Sequence, residues 1–281
     1  MKSLLFKSFV AIVLVGFGCV AYGFLIEPKT LEVRGPEFVS GKYSGAPLKI
    51  GVITDIHIGG LHVPASRVEK LVADMNRLEP DVVLLTGDFV DGHVPAGKRS
   101  DAFNTNLATG IAYLSGLKAP TYAAIGNHDV WYGSDKVAAL LRSSGVKVLD
   151  NEAEAFSGLC FVGLADATTS NPSRSAYEKC LPKHPPIVFT HSPEAWPVFR
   201  RDTILAVAGH THGGQVNLPI YGRRVNATSL GPEHSYGFSQ LGGVDVFVSA
   251  GIGTSILPVR FRAPPEVVVI TLRAKAKAKA P

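Results

Sequence analysis

Short apolar runs alternate with segments of helical spacing between residues 48 and 143. The runs are rich in aliphatic and β-branched residues and predict buried strands at 48–54, 81–86 and 121–125. The segments between and after them predict helices at 64–78, 104–117 and 135–143. Strands that alternate with helices form a largely parallel sheet, whose functional loops lie at the carboxyl ends of the strands. We therefore expect a mixed α/β fold.

From residue 145 onward the apolar runs are shorter and closer together. They predict further strands at 146–149, 159–165, 187–190, 204–208, 215–218, 244–250 and 267–272. We expect these strands to form a second, more antiparallel sheet packed on the first. No internal repeat and no linker divides residues 45–273, so the sequence predicts one domain at 48–272. A linker rich in Gly and Pro at 27–47 precedes this domain, and a basic tail at 273–281 follows it.

The N-terminal segment, residues 1–26, contains an uncharged apolar run at 9–26 that follows Lys2 and Lys7. As a helix this run would be about 27 Å long, close to the ~30 Å thickness of a bilayer core. It predicts a membrane anchor or a signal sequence, and a small-residue cleavage site at 21–23 leaves removal of the segment open. We expect an uncleaved single-pass anchor in the inner (cytoplasmic) membrane. The two lysines favour an N-terminus inside and the bulk of the protein on the outer, periplasmic side, although Lys29, Arg34 and Lys42 weaken this bias.

The formal net charge of +5 comes from the two ends of the chain. Without Lys2, Lys7 and the four positive residues of the tail, the net charge is −1. The globular part therefore has no excess of basic residues, and we expect no nucleic-acid partner. Of the three cysteines, Cys19 lies in the apolar run, while Cys160 and Cys180 either pair or remain two buried thiols.

Polar residues of the types that bind metals directly follow five of the predicted strands. They are Asp55 and His57, Asp88, Asn127 and His128, His191, and His210 and His212. One such residue after a strand is usually a turn or a helix cap, but five such strand ends in one chain are not explained in this way. Oxygen and nitrogen donors without sulfur suit divalent ions of hard to borderline character. The number of donors exceeds the three or four protein ligands of one catalytic ion, so we expect two ions.

These motifs are Asp-x-His, Gly-Asp-x-x-Asp, Gly-Asn-His-Asp, a lone His after a strand, and Gly-His-Thr-His. Together they resemble the calcineurin-like metallophosphoesterase superfamily over residues 48–272. The apolar N-terminal run, His-Thr-His-Gly-Gly-Gln, and the segments 251–255 and 258–262 further resemble its membrane-associated bacterial branch. The resemblance implies a four-layer α/β/β/α sandwich of two mixed β-sheets.

The resemblance also implies a role for each motif residue. One ion would be held by Asp55, His57 and His212, and the other by Asn127, His191 and His210. Asp88 would bridge the two ions, which would be manganese, iron or zinc. His128 would be an unliganded general acid beside the leaving group, and Asp91 would orient its ring.

The implied reaction is hydrolysis of a phosphodiester or pyrophosphate bond, in a membrane-proximal or lipid-linked substrate. One alternative is a UDP-diacylglucosamine pyrophosphatase of lipid A synthesis, whose site would face the cytoplasm. Others are a non-catalytic metal-containing scaffold and a nuclease, and no protein partner is evident. The remaining histidines, His62, His93, His184 and His234, are expected at the surface. A further hypothesis is that His62, Arg260 and Arg262 reach the substrate phosphate.

Overall fold

Two mixed β-sheets packed face to face dominate this computed structural model, which describes residues 2–180, 182–223 and 227–276. The α-helices are α1 (Lys2–Leu25), α2 (Ala65–Arg77), α3 (Asp101–Tyr113) and α4 (Asn127–Ser143). The strands of the first half are β1 (Glu32–Arg34), β2 (Glu37–Ser40), β3 (Leu48–Ile53), β4 (Val82–Leu85), β5 (Thr121–Ala123), β6 (Lys147–Val148) and β7 (Glu152–Phe156). Those of the second half are β8 (Leu159–Gly163), β9 (Pro186–Phe189), β10 (Leu205–Ala208), β11 (Asn217–Leu218), β12 (Gly222–Arg223), β13 (Gly237–Leu241), β14 (Val244–Val248) and β15 (Glu266–Ala274).

The first sheet has the strand order β1-β15-β3-β4-β5-β6, and β2 also pairs with β15. Strands β3 to β6 are parallel to one another, while β15 runs antiparallel to β3. The predicted strands 146–149 and 267–272 therefore belong to this sheet, not to the second one as expected. The last strand returns beside β3 because its apolar residues extend the same buried surface.

The second sheet has the order β13-β14-β10-β9-β8-β7. Its four central strands are parallel, and only the edge strands β7 and β13 are antiparallel to their neighbours. Among the described strands, two of its five pairings are antiparallel, against one of six in the first sheet, so the expectation of a more antiparallel second sheet is confirmed, although parallel pairings are the majority in both. The segment predicted at 215–218 forms a separate two-stranded hairpin, β11–β12.

Successive side chains of a strand point to opposite faces of the sheet, so apolar residues pack on both faces. In β4, Val83 and Leu85 face helices α2 to α4, whereas Val82 and Leu84 face the second sheet. The outer face of the second sheet packs under 3₁₀ helices at Arg174–Lys179 and Pro193–Val198. The mixed α/β sandwich is thus confirmed, and its fourth layer is built from 3₁₀ helices.

Helix α4 begins eight residues earlier than predicted, at Asn127, and bends at Gly133, whose φ is 133°. The Gly-Asn-His-Asp sequence has the composition of a turn, but Asp129 accepts the Gly126 N–H at 2.9 Å and starts the helix there. The first turn of α4 consequently carries Asn127 and His128.

Residues 27–47 are not a simple linker. Strands β1 and β2 lie in this segment and pair in parallel with β15. The side chain of Glu27 is buried, and its Oε1 accepts the Ala263 N–H at 2.6 Å. The segment is therefore attached to the domain, while part of the predicted basic tail, residues 277–281, lies outside the described residues.

Helix α1 is long and apolar enough to cross a bilayer, and nearly all its side chains are exposed. A disulfide joins Cys160 of β8 to Cys180, with a Cα–Cα distance of 5.6 Å. Of the two alternatives for these cysteines, the structure contains the pair.

Candidate metal centre

The carboxyl ends of strands from both sheets meet at one edge of the sandwich. From the first sheet, β3 leads to Asp55 and His57, β4 to Asp88, and β5 to Asn127. From the second sheet, β9 leads to His191 and β10 to His210 and His212. Six of these seven side chains are buried, and His210 is half-buried. The structure thus brings together all the residues predicted to bind metal.

Asp55, His57 and His212 form one group of donors. His57 Nε2 lies 3.1 Å from His212 Nε2, and His212 Nε2 lies 3.5 Å from Asp55 Oδ1. Their ligand atoms lie within 4.8 Å of one another. This spacing allows all three to contact a single ion.

Asn127, His191 and His210 form a second group. Asn127 Oδ1 is 2.9 Å from His191 Nε2 and 3.2 Å from His210 Nδ1. The two imidazole nitrogens are 3.1 Å apart. The group therefore presents one oxygen and two nitrogens to a common point.

Asp88 lies between the two groups. Its Oδ2 is 3.5 Å from His57 Nε2 in the first group and 3.3 Å from His191 Nε2 in the second. A carboxylate in this position can contribute to both groups.

The donor set fits a pair of divalent cations. Imidazole nitrogens that face each other at hydrogen-bond distance need a proton or a cation between them. The other ring nitrogens of two of these histidines are held by carbonyl oxygens: His191 Nδ1 by Thr86 at 2.9 Å, and His210 Nε2 by Ala227 at 3.1 Å. Such contacts fix the tautomer and point the remaining nitrogen at a metal.

The electrostatics favour the metal-binding form of His57, His212 and Asp88, whereas the charge of Asp88, against the effect of burial, raises the pKa of His191 well above its usual value. Burial lowers the pKa of His57 and of His212, and the charge of Arg260 lowers that of His212 further. Burial would raise the pKa of Asp88, but His191 and then His57 and His128 hold it below its usual value. Neutral imidazoles and an ionised carboxylate are the forms that bind cations.

Five of the candidate ligands have left-handed backbone conformations: Asp55, His57, Asp88, His210 and His212, with φ between 50° and 70°. Such angles are uncommon outside glycine, although Asp and His tolerate them better than most residues. Neighbouring glycines leave room for the carboxylates, because a Cβ at Gly126 or Gly209 would overlap Asp88 or Asp55. The concentration of strained backbone at one site is typical of a functional centre.

His128 lies beside this centre, with its Nε2 3.8 Å from Asp88 Oδ2. Its Nδ1 lies 3.1 Å from the carbonyl oxygen of Gly92. The expected partner, Asp91, instead has its Oδ1 3.9 Å from His57 Nδ1. The expectation that Asp91 orients His128 is therefore corrected: the backbone of Gly92 positions the ring.

The predictions for Arg260 and His62 were wrong. Arg260 is 0% exposed and donates to the carbonyl oxygens of Gly253, Ala263 and Ala250, so it does not reach a substrate. His62 is buried, with Nε2 3.0 Å from Pro258 O. His93 is exposed and His184 and His234 are half-buried, in agreement with the expected surface positions, and Arg262 is exposed.

Three neighbours of the site were missed. Asp129 accepts hydrogen bonds from the N–H groups of Asp88, Phe89, Val90 and Gly126 at 2.9–3.1 Å. Burial, and next the charge of Asp88, raise the pKa of Asp129 to about 7. His93 and Trp131 pack on His128, with ring centroids 4.7 and 4.9 Å from its own. Asp129 is the last residue of the Gly-Asn-His-Asp motif, whereas the sequence signals His93 and Trp131 only by their position a few residues from the motifs.

Comparison with known proteins is consistent with this geometry. The family model described as calcineurin-like phosphoesterase matches residues 48–250. The chain is 30% identical to phosphodiesterase YaeI of Escherichia coli (strain K12), over 92% of this chain and 93% of that protein. It is 28% identical to the uncharacterized metallophosphoesterase YkuE of Bacillus subtilis (strain 168), over 96% of this chain and 95% of that one. A crystal structure of a dimetal phosphatase from Danio rerio has a TM-score of 0.47 and 15% identity, covering 80% of this chain and 98% of that chain.

Proposed function

The chain belongs to the calcineurin-like phosphoesterase family, and on that premise we propose that it hydrolyses a phosphodiester bond at the surface of a membrane. As a member of this dimetal-dependent family it is a metal-dependent phosphoester hydrolase. The observation that carries the proposal is the position of Asp88 Oδ2, 3.5 Å from His57 Nε2 and 3.3 Å from His191 Nε2. A carboxylate shared by two groups of donors suits a two-ion centre.

Two divalent ions bound at such a centre would stabilise the charge of a phosphoester and supply a nucleophilic water at neutral pH. Asp55, His57 and His212 would hold one ion, Asn127, His191 and His210 the other, and Asp88 both. The donor set suits manganese, iron or zinc. The left-handed backbone at five of these seven positions aims the side chains before any ligand arrives.

His128 is the residue proposed to give a proton to the departing oxygen. The Gly92 carbonyl holds one ring nitrogen, which leaves Nε2 directed at the centre. Burial lowers the pKa of His128. Asp91 would position the His57 ring, since its Oδ1 lies 3.9 Å from His57 Nδ1.

We place the catalytic domain on the outer side of the cytoplasmic membrane. Helix α1 suits a single span, and the lysines at its N-terminal end favour a cytoplasmic N-terminus. The Cys160–Cys180 disulfide supports this orientation, since disulfides persist in oxidising compartments. A UDP-diacylglucosamine pyrophosphatase would need the opposite orientation.

The test uses the full-length protein in detergent, stripped of metal and reloaded with manganese, iron or zinc. We expect cleavage of bis-p-nitrophenyl phosphate to depend on the added metal and to exceed that of p-nitrophenyl phosphate. Faster cleavage of the monoester would overturn the assignment to diesters. Binding of two ions without turnover of either compound would favour the scaffold.

A further inference from the structure

The C-terminal end of helix α1 packs on residues 259–261, which we call the α1-binding segment. The Gly23 carbonyl accepts the Arg260 N–H at 2.9 Å, and the rings of Tyr22 and Phe261 meet edge to face at 6.5 Å. A Cβ at Gly23 would lie 3.2 Å from both Arg260 O and Val259 Cγ2, so glycine permits this close approach. The end of the apolar helix is therefore fixed against the catalytic domain.

A cavity of about 170 Å³ opens beside this contact. Cys19, Val20 and Phe24 of α1 line one side, and Val216 and Val259 line the other. Almost all its walls are apolar. Its position on α1 places it where the helix would leave the hydrocarbon core.

A second cavity, of about 210 Å³, adjoins the first through the shared residues Val216 and Val259. His212 lies at its inner end, and Ile256 and Leu257 line it toward the outside. We call the two cavities together the apolar groove. It connects the membrane helix to a residue of the metal centre.

Two polar side chains of the groove, Thr211 and Gln215, are hydrogen-bonded to the protein. Thr211 Oγ1 donates to Ser235 O at 2.7 Å. The Gln215 amide donates to Leu257 O at 2.9 Å and accepts the Ser255 N–H at 2.7 Å. A polar chain in this groove would lose its hydrogen bonds to water without finding new ones, whereas a hydrocarbon chain would lose none.

Large apolar side chains surround the groove on the outside. Ile220 is 101% exposed and Ile256 is 90% exposed, and both have left-handed backbone, with φ of 69° and 64°. Leu218 and Leu257 are also exposed. Ile220 lies in the turn of the β11–β12 hairpin. This hairpin is hydrogen-bonded to the α1-binding segment, because the Asn217 N–H donates to Phe261 O at 2.8 Å. This apolar rim is continuous with the surface that a bilayer would cover.

From this continuity we propose that the apolar groove takes an acyl chain of a membrane phospholipid, whose phosphodiester then lies at the metal centre. The inference rests on the proposed function and names its substrate class: a phosphodiester that carries an acyl chain. Hydrolysis adds water across one P–O bond, and the products are a phosphomonoester and an alcohol. The lipid would enter sideways from the outer leaflet along α1.

The experiment compares dioleoyl phosphatidylglycerol with glycerophosphoglycerol, which has the same diester and no acyl chains. Full-length protein is reconstituted in detergent micelles with manganese, and bis-p-nitrophenyl phosphate is measured beside both. We expect kcat/KM for the lipid to exceed that for the deacylated compound at least about tenfold, because each buried methylene contributes roughly fourfold. Leu257→Asp should lower this ratio at least about tenfold, whereas Val39→Asp, an exposed site on β2, should leave it unchanged.

A second readout does not depend on turnover. Phosphatidylglycerol with a photoreactive group in its acyl chain, in nanodiscs with the full-length protein, should label peptides that contain Val216 and Val259. Leu257→Asp should reduce this labelling. Equal activity toward the two glycerol diesters, or labelling confined to α1, would overturn the inference while cleavage of bis-p-nitrophenyl phosphate left the proposed function standing. Failure to cleave any diester would instead overturn the proposed function.

Discussion

The carboxylate of Asp129 accepts the backbone N–H of Asp88 at 2.9 Å and shares its second oxygen between the N–H groups of Phe89 and Val90. It therefore determines the path of the loop that carries the proposed bridging ligand. Asp88 is held in a left-handed conformation, with φ of 55°, and this conformation needs such support.

Asp129→Asn should weaken metal binding about tenfold to a hundredfold, the usual effect of losing a residue that supports a ligand. An amide offers one oxygen to four N–H donors and places its own NH₂ against two of them. Metal titration by calorimetry measures the loss, and Asp101→Asn, at an exposed position in the first turn of α3, is the control. Unchanged metal affinity would show that the loop holds its shape without Asp129.

Asp88→Asn and His128→Ala should differ in how much metal the purified protein retains. The first change removes a charged oxygen close to both donor groups, so metal content and activity should fall together. The second should leave most of the metal bound and lower kcat by about 10²–10⁴, as expected for loss of a general acid. Metal analysis of the purified variants, run beside steady-state kinetics, separates the two. Equal metal loss in both variants would contradict the roles assigned here.

Arg260→Lys should destabilise the fold by about 2–4 kcal/mol, because buried carbonyl groups lose their donors. The guanidinium donates to Gly253, Ala263 and Ala250, an arrangement that the single nitrogen of lysine cannot reproduce. Urea denaturation followed by fluorescence measures the change. Arg262→Lys, at an exposed position two residues away, should stay within about 0.5 kcal/mol of the unmodified protein.

Gly23→Leu should push α1 away from the domain, at a cost of about 1–3 kcal/mol. The added side chain would meet Arg260 O and Val259, whereas Gly18 has nothing within 4 Å of a built Cβ. Gly18→Leu is therefore a matched control on the same helix. Limited proteolysis in detergent should cut the 26–31 segment faster in the first variant only. Identical digestion of the two variants would mean that α1 is not seated on this segment.

Removing the disulfide should cost about 3 kcal/mol, the entropy of closing a loop of this length. The two half-cystines are separated by 20 positions, and Cys160 is fully buried. Cys160→Ser/Cys180→Ser should lower the midpoint of urea denaturation, and a reductant should do the same to the unmodified protein. Cys19→Ser, at a free exposed cysteine, should have the same midpoint as the unmodified protein, both with and without reductant. A midpoint insensitive to reductant would show that the pair does not stabilise the fold.

Local sequence pattern was sufficient for the strands that carry the ligands. Strands β3, β4, β5, β9 and β10 were all predicted within two residues at each end. Their aliphatic residues mark burial, and the polar residue that follows each marks its end. Strand partners were less predictable: β15 was assigned to the wrong sheet, because an apolar run does not specify which edge it covers.

The sequence by itself determined the donor types and their order along the chain, and hence the family and the class of reaction. Short motifs suffice for this because each donor directly follows a strand whose burial can be read locally. Only the tertiary structure decided that Asp129 supports the Asp88 loop, that Gly92 positions His128, that Arg260 is internal, and that α1 rests on the segment beside the groove. The contacts of Asp129, His128 and α1 join positions tens to hundreds of residues apart, so they depend on which surfaces pack together and leave no periodic trace in the sequence. The contacts of Arg260 are local, but its burial depends on the same packing.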